Sequence, residues 1–183
     1  MSPVRERVAG DEALERVQAA LGDRVTDAHV NFGQADVTCS PEKLVEVVTL
    51  LRDTPGIECT FFTFLSGVDR SELEDEGERG GLEVLVHLYS PDTTLHVNIH
   101  VPLSSENPSC HSITGVFAGA QWQERETHEM FGIDFEGHPR LVNLYLPEDF
   151  EGHPLLKSFK LPSRAIKEWP GAKDPEEAAA GGR

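Results

Sequence analysis

Residues 82–101, LEVLVHLYSPDTTLHVNIHV, predict the centre of a β-sheet. Apolar side chains recur at alternate positions in Leu82–Tyr89 and Leu95–Val101, which is typical of strands that bury one face. The SPDT stretch between them is rich in turn-forming residues, so the two strands are expected to form a hairpin. Three histidines in these strands are expected to line the outer face of the sheet as surface residues, with a metal site there as the weaker alternative: His87, His96 and His100.

Two helices are predicted before this hairpin. The first covers residues 11–21, with Asp11 as its N-cap and Gly22 as its stop. The second begins at Ser40, where a capping residue precedes a proline at the first helical position. Their buried faces consist of apolar residues three or four positions apart: Leu14, Val17 and Leu21 in the first helix, and Leu44, Val47, Val48 and Leu51 in the second.

Further strands are predicted at 25–31, 35–39 and 59–65, and a third helix at 120–131 with Gly132 as its stop. The fold class is therefore expected to be α/β (α+β), with a mixed, mostly antiparallel sheet backed by helices. Residues 1–133 are expected to form this domain. Prolines recur along the remainder, 134–183, which predicts an extended C-terminal arm whose last residues are mobile.

The composition limits the partners that the chain can have. Of 183 residues, 38% are hydrophobic, enough for a core, and 32 Asp and Glu oppose 16 Lys and Arg, giving a formal net charge of −16. Such a charge argues against nucleic acid or anionic lipid and favours docking against a basic surface. The acidic loop at 68–81 carries eight charged residues, six of them acidic, and is expected to be solvated.

No cofactor motif is present in the sequence. Neither GxGxxG nor GxxxxGK[ST] occurs, so a nucleotide site has no support. The cysteines Cys39, Cys59 and Cys110 are far apart and three in number, too few for an iron–sulfur cluster, and are expected to be reduced, buried thiols. The chain shows no signal peptide and no apolar run long enough to cross a bilayer, so no direct membrane insertion is expected.

The third predicted helix contains several charged residues. Trp122, Glu126 and Met130 are four residues apart, which predicts that they share the buried face. Glu126 would then be a buried carboxylate held by a partner group, either as a structural pin or, less favoured, as a tuned acid or base. Arg125 and Glu129 are expected to pair with each other on another face.

A short string occurs twice, as DFEGHPRL from Asp134 and as DFEGHPLL from Asp149. Glycine permits a sharp reversal and proline holds the preceding histidine in an extended conformation, so each copy is interpreted as a chain-turning device. The alternative is a metal site built from two nitrogen and two oxygen ligands: Glu136, His138, Glu151 and His153.

The stretch WQERETHEMFGIDFEGHPRLVNLYLPEDFEGHPLLKSF, residues 122–159, resembles the signature of the C subunit of the proton-pumping NADH:quinone oxidoreductase, respiratory complex I. The resemblance implies a cofactor-free assembly subunit of the cytoplasmic arm, packed against the D subunit and near the B subunit. Other subunits would hold the FMN and the iron–sulfur clusters that carry electrons from NADH to quinone, coupled to proton translocation. The protein would lie peripherally at the cytoplasmic face of the cell membrane.

The resemblance assigns the signature residues to partner interface and scaffold, with no catalytic, cofactor or metal role. Two departures from the usual pattern, Val142-Asn143 and Leu156–Phe159, replace basic residues and imply a changed partner surface. The equivalent subunit of a membrane-bound hydrogenase or formate-oxidising complex, and a free-standing metal-dependent enzyme, are the alternatives. The signature residues are Trp122, Glu124, Arg125, Glu126, Met130, Phe131, Gly132, Gly137, His138, Pro139, Pro147, Asp149, Gly152, His153, Pro154 and Lys157.

Overall fold

The computed structural model describes residues 8–72, 81–104 and 106–161. Short 3₁₀ turns at Gly22–Arg24 and Pro41–Lys43 accompany the regular elements. In chain order these elements are α1 (Gly10–Leu21), β1 (Asp27–Asn31), β2 (Gln34–Thr38), α2 (Leu44–Asp53), β3 (Phe61–Asp69), β4 (Leu82–Tyr89), β5 (His96–Pro102), β6 (Ser109–His111), α3 (Ala120–Phe131) and β7 (Asp134–Glu136).

The main sheet has five strands in the order β1-β2-β5-β4-β3. The β2–β5 pair is parallel and the other three pairs are antiparallel, so the predicted mixed, mostly antiparallel sheet is confirmed. The hairpin predicted from 82–101 is β4–β5, with Val86 opposite Ile99. Strands β6 and β7 form a separate parallel pair.

The three α-helices within the described residues cover one face of the sheet, since the buried apolar side chains of β2, β4 and β5 point to the same layer. Helix α3 packs on β3, where Phe131 lies against Gly67. A Cβ at position 67 would come within 2.5 Å of the Phe131 ring, so glycine lets helix and strand approach closely. The predicted buried face of α2 (Leu44, Val47, Val48, Leu51) is confirmed.

The predicted N-cap of α1 is wrong. The helix begins at Gly10, and Ala9 occupies the cap position, because the chain there is pressed against the β1–β2 hairpin. A Cβ on Gly10 would lie 2.7 Å from Val30 Cγ1. Asp11 instead sits exposed in the first turn, where its charge favours the positive end of the helix. The predicted stop at Gly22 is confirmed, with φ of +56°.

The strand predicted at 59–65 is shifted along the chain. Strand β3 starts at Phe61, because the N–H of Cys59 bonds to Leu51 O at the end of α2. It continues to Asp69, paired with β4 along its length apart from an irregularity between Phe62 and Phe64. The bounds of β3 therefore depend on its contacts with α2 and β4 and not on the local sequence pattern.

The three histidines of β4 and β5 share the outer face of the sheet, as expected, yet they are not simple surface residues. His87 is only 8% exposed, stacked on the Phe64 ring and 3.2 Å from the ring of His96. His100 lies between two carboxylates, with Nδ1 2.6 Å from Glu83 Oε1 and Nε2 3.4 Å from Asp36 Oδ2. The outer face is therefore a partly buried polar network.

The cysteine prediction is confirmed, because all three thiols are free and buried. Burial raises the pKa of Cys39 and of Cys59 to about 12, and it also raises the pKa of Cys110. Thiols of this kind are inert at neutral pH. Most of the acidic loop and the end of the arm, residues 73–80 and 162–183, lie outside the described residues.

Candidate partner-docking site

Helix α3 places its side chains differently from the prediction. Trp122 is 56% exposed and Glu126 is exposed, while Met130 is half-buried. Glu126 is therefore not a buried pin, and the prediction that these three residues share the buried face is wrong. The buried stripe follows another set of positions at helical spacing, occupied by small and polar residues as well as an aromatic one: Ala120, Glu124, Thr127 and Phe131.

Glu124 is the fully buried carboxylate of this helix. Its Oε1 accepts the Ile113 N–H at 2.8 Å, and its Oε2 accepts the Ser112 hydroxyl at 2.7 Å. Burial raises the pKa of Glu124, and the two hydrogen bonds oppose that rise. The side chain thus ties α3 to the loop that follows β6.

Glu129 is a second buried carboxylate, 4% exposed, and it binds the arm. It accepts the backbone N–H groups of Leu144 and Tyr145 at 3.0 Å each, and that of Leu146 as well. Burial raises the pKa of Glu129, but the three amide donors and the charge of Arg125 outweigh this and hold it below its usual range. One carboxylate therefore fixes three consecutive peptide groups.

Arg125 completes this attachment instead of pairing with Glu129 as predicted. Its Nε donates to Val142 O at 2.8 Å and its Nη2 donates to Asn143 O at 2.7 Å. The guanidinium binds two carbonyls and the carboxylate binds the next three amides, so one helix face holds residues 142–146 by their backbone. The side chains of this segment are thereby left for other contacts.

The glycines of the two EGHP strings share a left-handed backbone conformation. Gly137 has φ of +84° and Gly152 has φ of +88°, which confirms the predicted glycine turns. Their phenylalanines differ in environment. Phe135 is 3% exposed and belongs to the core, whereas Phe150 is 39% exposed and stacks on Phe159 at 6.1 Å between ring centroids. Only the first string is anchored in the core by its aromatic ring.

In the first string, the histidine holds the start of α3. His138 Nε2 donates to Gln121 O at 3.1 Å, and its Nδ1 accepts the Arg140 N–H at 3.0 Å. A ring with one donating and one accepting nitrogen is a neutral imidazole protonated at Nε2. The side chain joins the first turn of α3 to the bend after β7.

In the second string, the histidine caps the end of α3. His153 Nδ1 donates to Glu129 O at 2.9 Å, and the Leu155 N–H donates to Met130 O at 3.0 Å. The imidazole lies over Gly132, where a Cβ would come within 2.7 Å of Nε2. Carbonyls at a helix C-terminus lack partners within the helix, so this string satisfies two of them.

The metal-site alternative has no geometric basis. The two histidines bond to different backbone carbonyls at opposite ends of α3. Glu136 accepts from Ser109 Oγ at 3.3 Å, and Glu151 is exposed. Within residues 8–72, 81–104 and 106–161, no group of three or more His, Cys, Asp or Glu side chains is placed to hold a metal ion.

Five apolar side chains of the arm are exposed. We define the arm surface as the exposed apolar residues beyond position 141: Val142 (43% exposed), Tyr145 (63%), Phe150 (39%), Leu155 (53%) and Leu161 (83%). Of the remaining signature residues of the arm, Pro139, Pro147, Asp149 and Lys157 are exposed and Pro154 is half-buried. The Lys157 N–H is bonded to Asp69 Oδ2 at 2.7 Å, which fastens the arm to the end of β3.

Sequence reasoning missed the roles of Glu124 and Glu129. A usable signal was the spacing of Ala120, Thr127 and Phe131, which places Glu124 on the same stripe. The large Trp122 pointed to the opposite face and obscured that spacing.

The family of the chain follows from residues 37–165, which match the family model described as respiratory-chain NADH dehydrogenase, 30 Kd subunit. The chain belongs to this family. The match begins in β2 and runs through the arm, so it contains α3, both EGHP strings and every contact that holds residues 142–146.

Relatives are similar over most of the chain. An NADH-quinone oxidoreductase C subunit from Roseiflexus sp. (strain RS-1) is 39% identical over 135 residues, which are 74% of this chain and 75% of that protein. The C subunit of the NADH-quinone oxidoreductase from Mesorhizobium japonicum is 37% identical over 136 residues, covering 72% and 65% respectively.

Two solved structures share the fold. A trypsin-resistant fragment of Nqo5 superposes with a TM-score of 0.56 at 23% identity, covering 70% of this chain and 99% of that one. A chain of the membrane-bound sulfane sulfur reductase, an archaeal respiratory membrane complex, gives a TM-score of 0.64 at 18% identity, covering 83% and 86%. Among the helices that the structure describes in this 30 Kd family member, none is both long and apolar enough to cross a membrane.

Proposed function

We propose that the chain is the assembly subunit of a membrane-associated NADH:quinone oxidoreductase, equivalent to its C subunit. As part of the whole complex it serves electron transfer from NADH, through FMN and iron–sulfur clusters held by other subunits, to quinone, coupled to proton translocation. The names of its relatives and the match over residues 37–165 support this assignment.

One observation carries the proposal. The backbone of residues 142–146 is bound on both its carbonyl and its amide groups by α3, while Val142 and Tyr145 expose their side chains. A segment that is rigid and outward-facing loses little conformational entropy on binding, which favours affinity. The arm surface is thus organised before a partner arrives.

The partners we propose are the D subunit, foremost, and the B subunit. A net charge of −16 suits basic neighbours and speeds encounter with them. Val142 stands where the family usually has an arginine, and it is 43% exposed on the arm surface. An apolar contact therefore replaces a charged one at this point, and the facing position of the partner has a matching apolar character.

The proposed role is structural, peripheral to the membrane at its cytoplasmic face and without a cofactor in this subunit. Its three thiols lie apart along the chain and are buried with raised pKa values. Iron–sulfur clusters are held by four ligands, usually thiolates. Purified chain is expected to show no NADH oxidation with any quinone analogue, measured as loss of NADH absorbance.

The docking role is tested by placing a charge on the arm surface. Tyr145→Asp and Leu155→Asp each alter an exposed side chain, so the isolated chain is expected to keep its melting temperature. Co-purification of the other subunits with a tagged chain is expected to fall at least tenfold, on the order of the cost of burying an unpaired charge at an interface.

Ala19→Asp is the matched control, since it introduces the same charge at an exposed apolar position on α1. It is expected to leave co-purification unchanged. Normal assembly of the Tyr145 and Leu155 variants would show that the arm surface is not the docking site.

A further inference from the structure

The hairpin joining β1 to β2 turns through two residues, Phe32 and Gly33. Both have positive φ, +48° and +73°, as a type I′ turn requires. Phe32 is 93% exposed, the highest fraction among the large hydrophobic residues of the described chain. A bulky apolar side chain thus stands at the tip of the hairpin.

Folding alone does not account for phenylalanine at this position. The first central residue of a type I′ turn is usually Asn, Asp or Gly, because other side chains crowd the backbone at positive φ. Compared with glycine, a bulky residue at this position lowers the folding equilibrium constant by roughly tenfold or more. An exposed ring gains no burial in return, so the residue works against stability and has its use elsewhere.

The tip is mounted on a rigid base. Five residue pairs fix the register of β1 against β2, from Asp27 opposite Thr38 to Asn31 opposite Gln34. The first turn of α1 presses on the hairpin, since a Cβ on Gly10 would lie 3.2 Å from the Gly33 backbone. An aromatic side chain held on a stiff support is a favourable interface anchor, because little freedom is lost when it is buried.

Charges near the tip define the partner. Asp11, in the α1 turn that abuts the hairpin, is an exposed carboxylate, whereas its neighbour Glu12 is paired with Arg16. A second copy of this acidic chain or an anionic lipid surface would be repelled, with a net charge of −16 on each copy. A protein pocket that is apolar inside and basic at its rim matches the ring, the Asp11 carboxylate and the acidic chain as a whole.

We infer that Phe32 is an interface anchor that inserts into an apolar, basic-rimmed pocket on a neighbouring subunit. The inference rests on the proposed function, because that function supplies the neighbour. The contact is separate from the arm surface: β1 forms one edge of the five-stranded sheet, whereas β3, which α3 and the arm accompany, forms the other. The chain is therefore held at two opposite edges.

Phe32→Asn separates stability from binding. Asparagine accepts positive φ, so the isolated variant is expected to melt at or above the parent temperature. Its affinity for the complex prepared without this chain is expected to fall at least tenfold. His29→Asn, an exposed change in strand β1 of the same hairpin, is the control and is expected to alter neither quantity. Undiminished affinity of Phe32→Asn would overturn the inference.

A photo-reactive benzophenone amino acid at position 32 of the chain in the intact complex identifies the contact directly. The expected adduct joins position 32 to a peptide of another subunit containing apolar residues beside Lys or Arg. Adducts only within the chain, with a second copy or with lipid would overturn the inference. Normal binding of Tyr145→Asp alongside weakened binding of Phe32→Asn would refute the arm-docking proposal and leave this one standing.

Discussion

At the residue scale, the arm is attached to α3 by charged side chains that bind backbone peptide groups instead of side chains of opposite charge. Glu129 accepts hydrogen bonds from three backbone amides, and Arg125 donates hydrogen bonds to two backbone carbonyls. Hydrogen bonds to a charged group are stronger than neutral ones, so two side chains suffice to order five residues. This explains how residues 142–146 keep a defined path although they belong to no helix or strand.

Glu129→Ala is expected to release the arm without unfolding the core. Three amides lose their acceptor, so hydrogen exchange at Leu144, Tyr145 and Leu146 should accelerate about hundredfold, equivalent to about 3 kcal/mol. Glu129→Gln, which keeps an acceptor oxygen, should show a smaller change. Glu126→Ala on the exposed face is the control, with less than about 0.5 kcal/mol expected in unfolding free energy. Equal effects of the 126 and 129 variants would contradict this assignment.

The sequence predicts those features that depend on interactions between residues close together in the chain. The bounds of α3, the left-handed Gly132 and both EGHP turns follow from helix period, glycine and proline, and the sequence predicts all of them. It does not predict the partners of Glu124 and Glu129, because they lie 11 to 17 positions away along the chain. Which face of α3 is buried depends on the loop and arm that pack on it, and a large exposed Trp122 misleads a periodicity argument.

At the element scale, the end of α3 and the second EGHP string form one unit. Gly132 meets two demands there, a φ of +72° and room for the His153 ring. Gly137 has a similar φ of +84°, but nothing lies within 4 Å of the position of its Cβ. A side chain at position 137 would therefore meet only backbone strain, whereas one at position 132 would meet both backbone strain and a clash with His153.

Gly137→Ala is expected to cost on the order of 1–2 kcal/mol in unfolding free energy, from backbone conformation alone. Gly132→Ala should cost at least about 1 kcal/mol more, since the new methyl displaces His153. In a His153→Ala background, that extra cost should disappear, as urea unfolding of the double mutant can measure. Additive effects of the 132 and 153 substitutions would show that the two residues do not share this contact.

The outer sheet face adds a pH dependence, because His100 joins three strands through Glu83 and Asp36. Its hydrogen bond with Glu83 raises the pKa of His100, burial opposes the rise, and the charges of Glu83 and Asp36 add to it. A histidine with a folded pKa above its unfolded value of about 6.5 stabilises fully below that pH. This contribution is lost as the pH rises through the folded pKa.

The free energy of unfolding is therefore expected to fall as the pH is raised from about 6 through the elevated pKa of His100. His100→Gln should remove this slope, because glutamine does not titrate. The difference between parent and variant, taken from urea unfolding at each pH, isolates the contribution of this residue from those of other groups. A parent and variant with parallel pH profiles would contradict the role of His100.

At the scale of the whole molecule, the proposed docking gives charge and apolar surface different tasks. The net charge of −16 is spread over the chain, whereas the arm surface consists of five exposed apolar side chains. Long-range charge acts on encounter and is screened by salt, with a Debye length of about 10 Å at 0.1 M. Apolar burial acts on the lifetime of the complex and depends little on salt.

Raising the ionic strength from about 0.05 to about 0.5 M is therefore expected to slow association with the complex prepared without this chain by about tenfold. The dissociation rate should change less than about threefold, because the arm surface controls it. Biolayer interferometry with an immobilised tagged chain measures both rates, and the melting temperature of the free chain in the same buffers serves as the control. Tyr145→Asp is expected to raise the dissociation rate and to leave the salt dependence of association unchanged. Salt dependence located mainly in the dissociation rate would instead mean that charged contacts, not the arm surface, hold the protein in place.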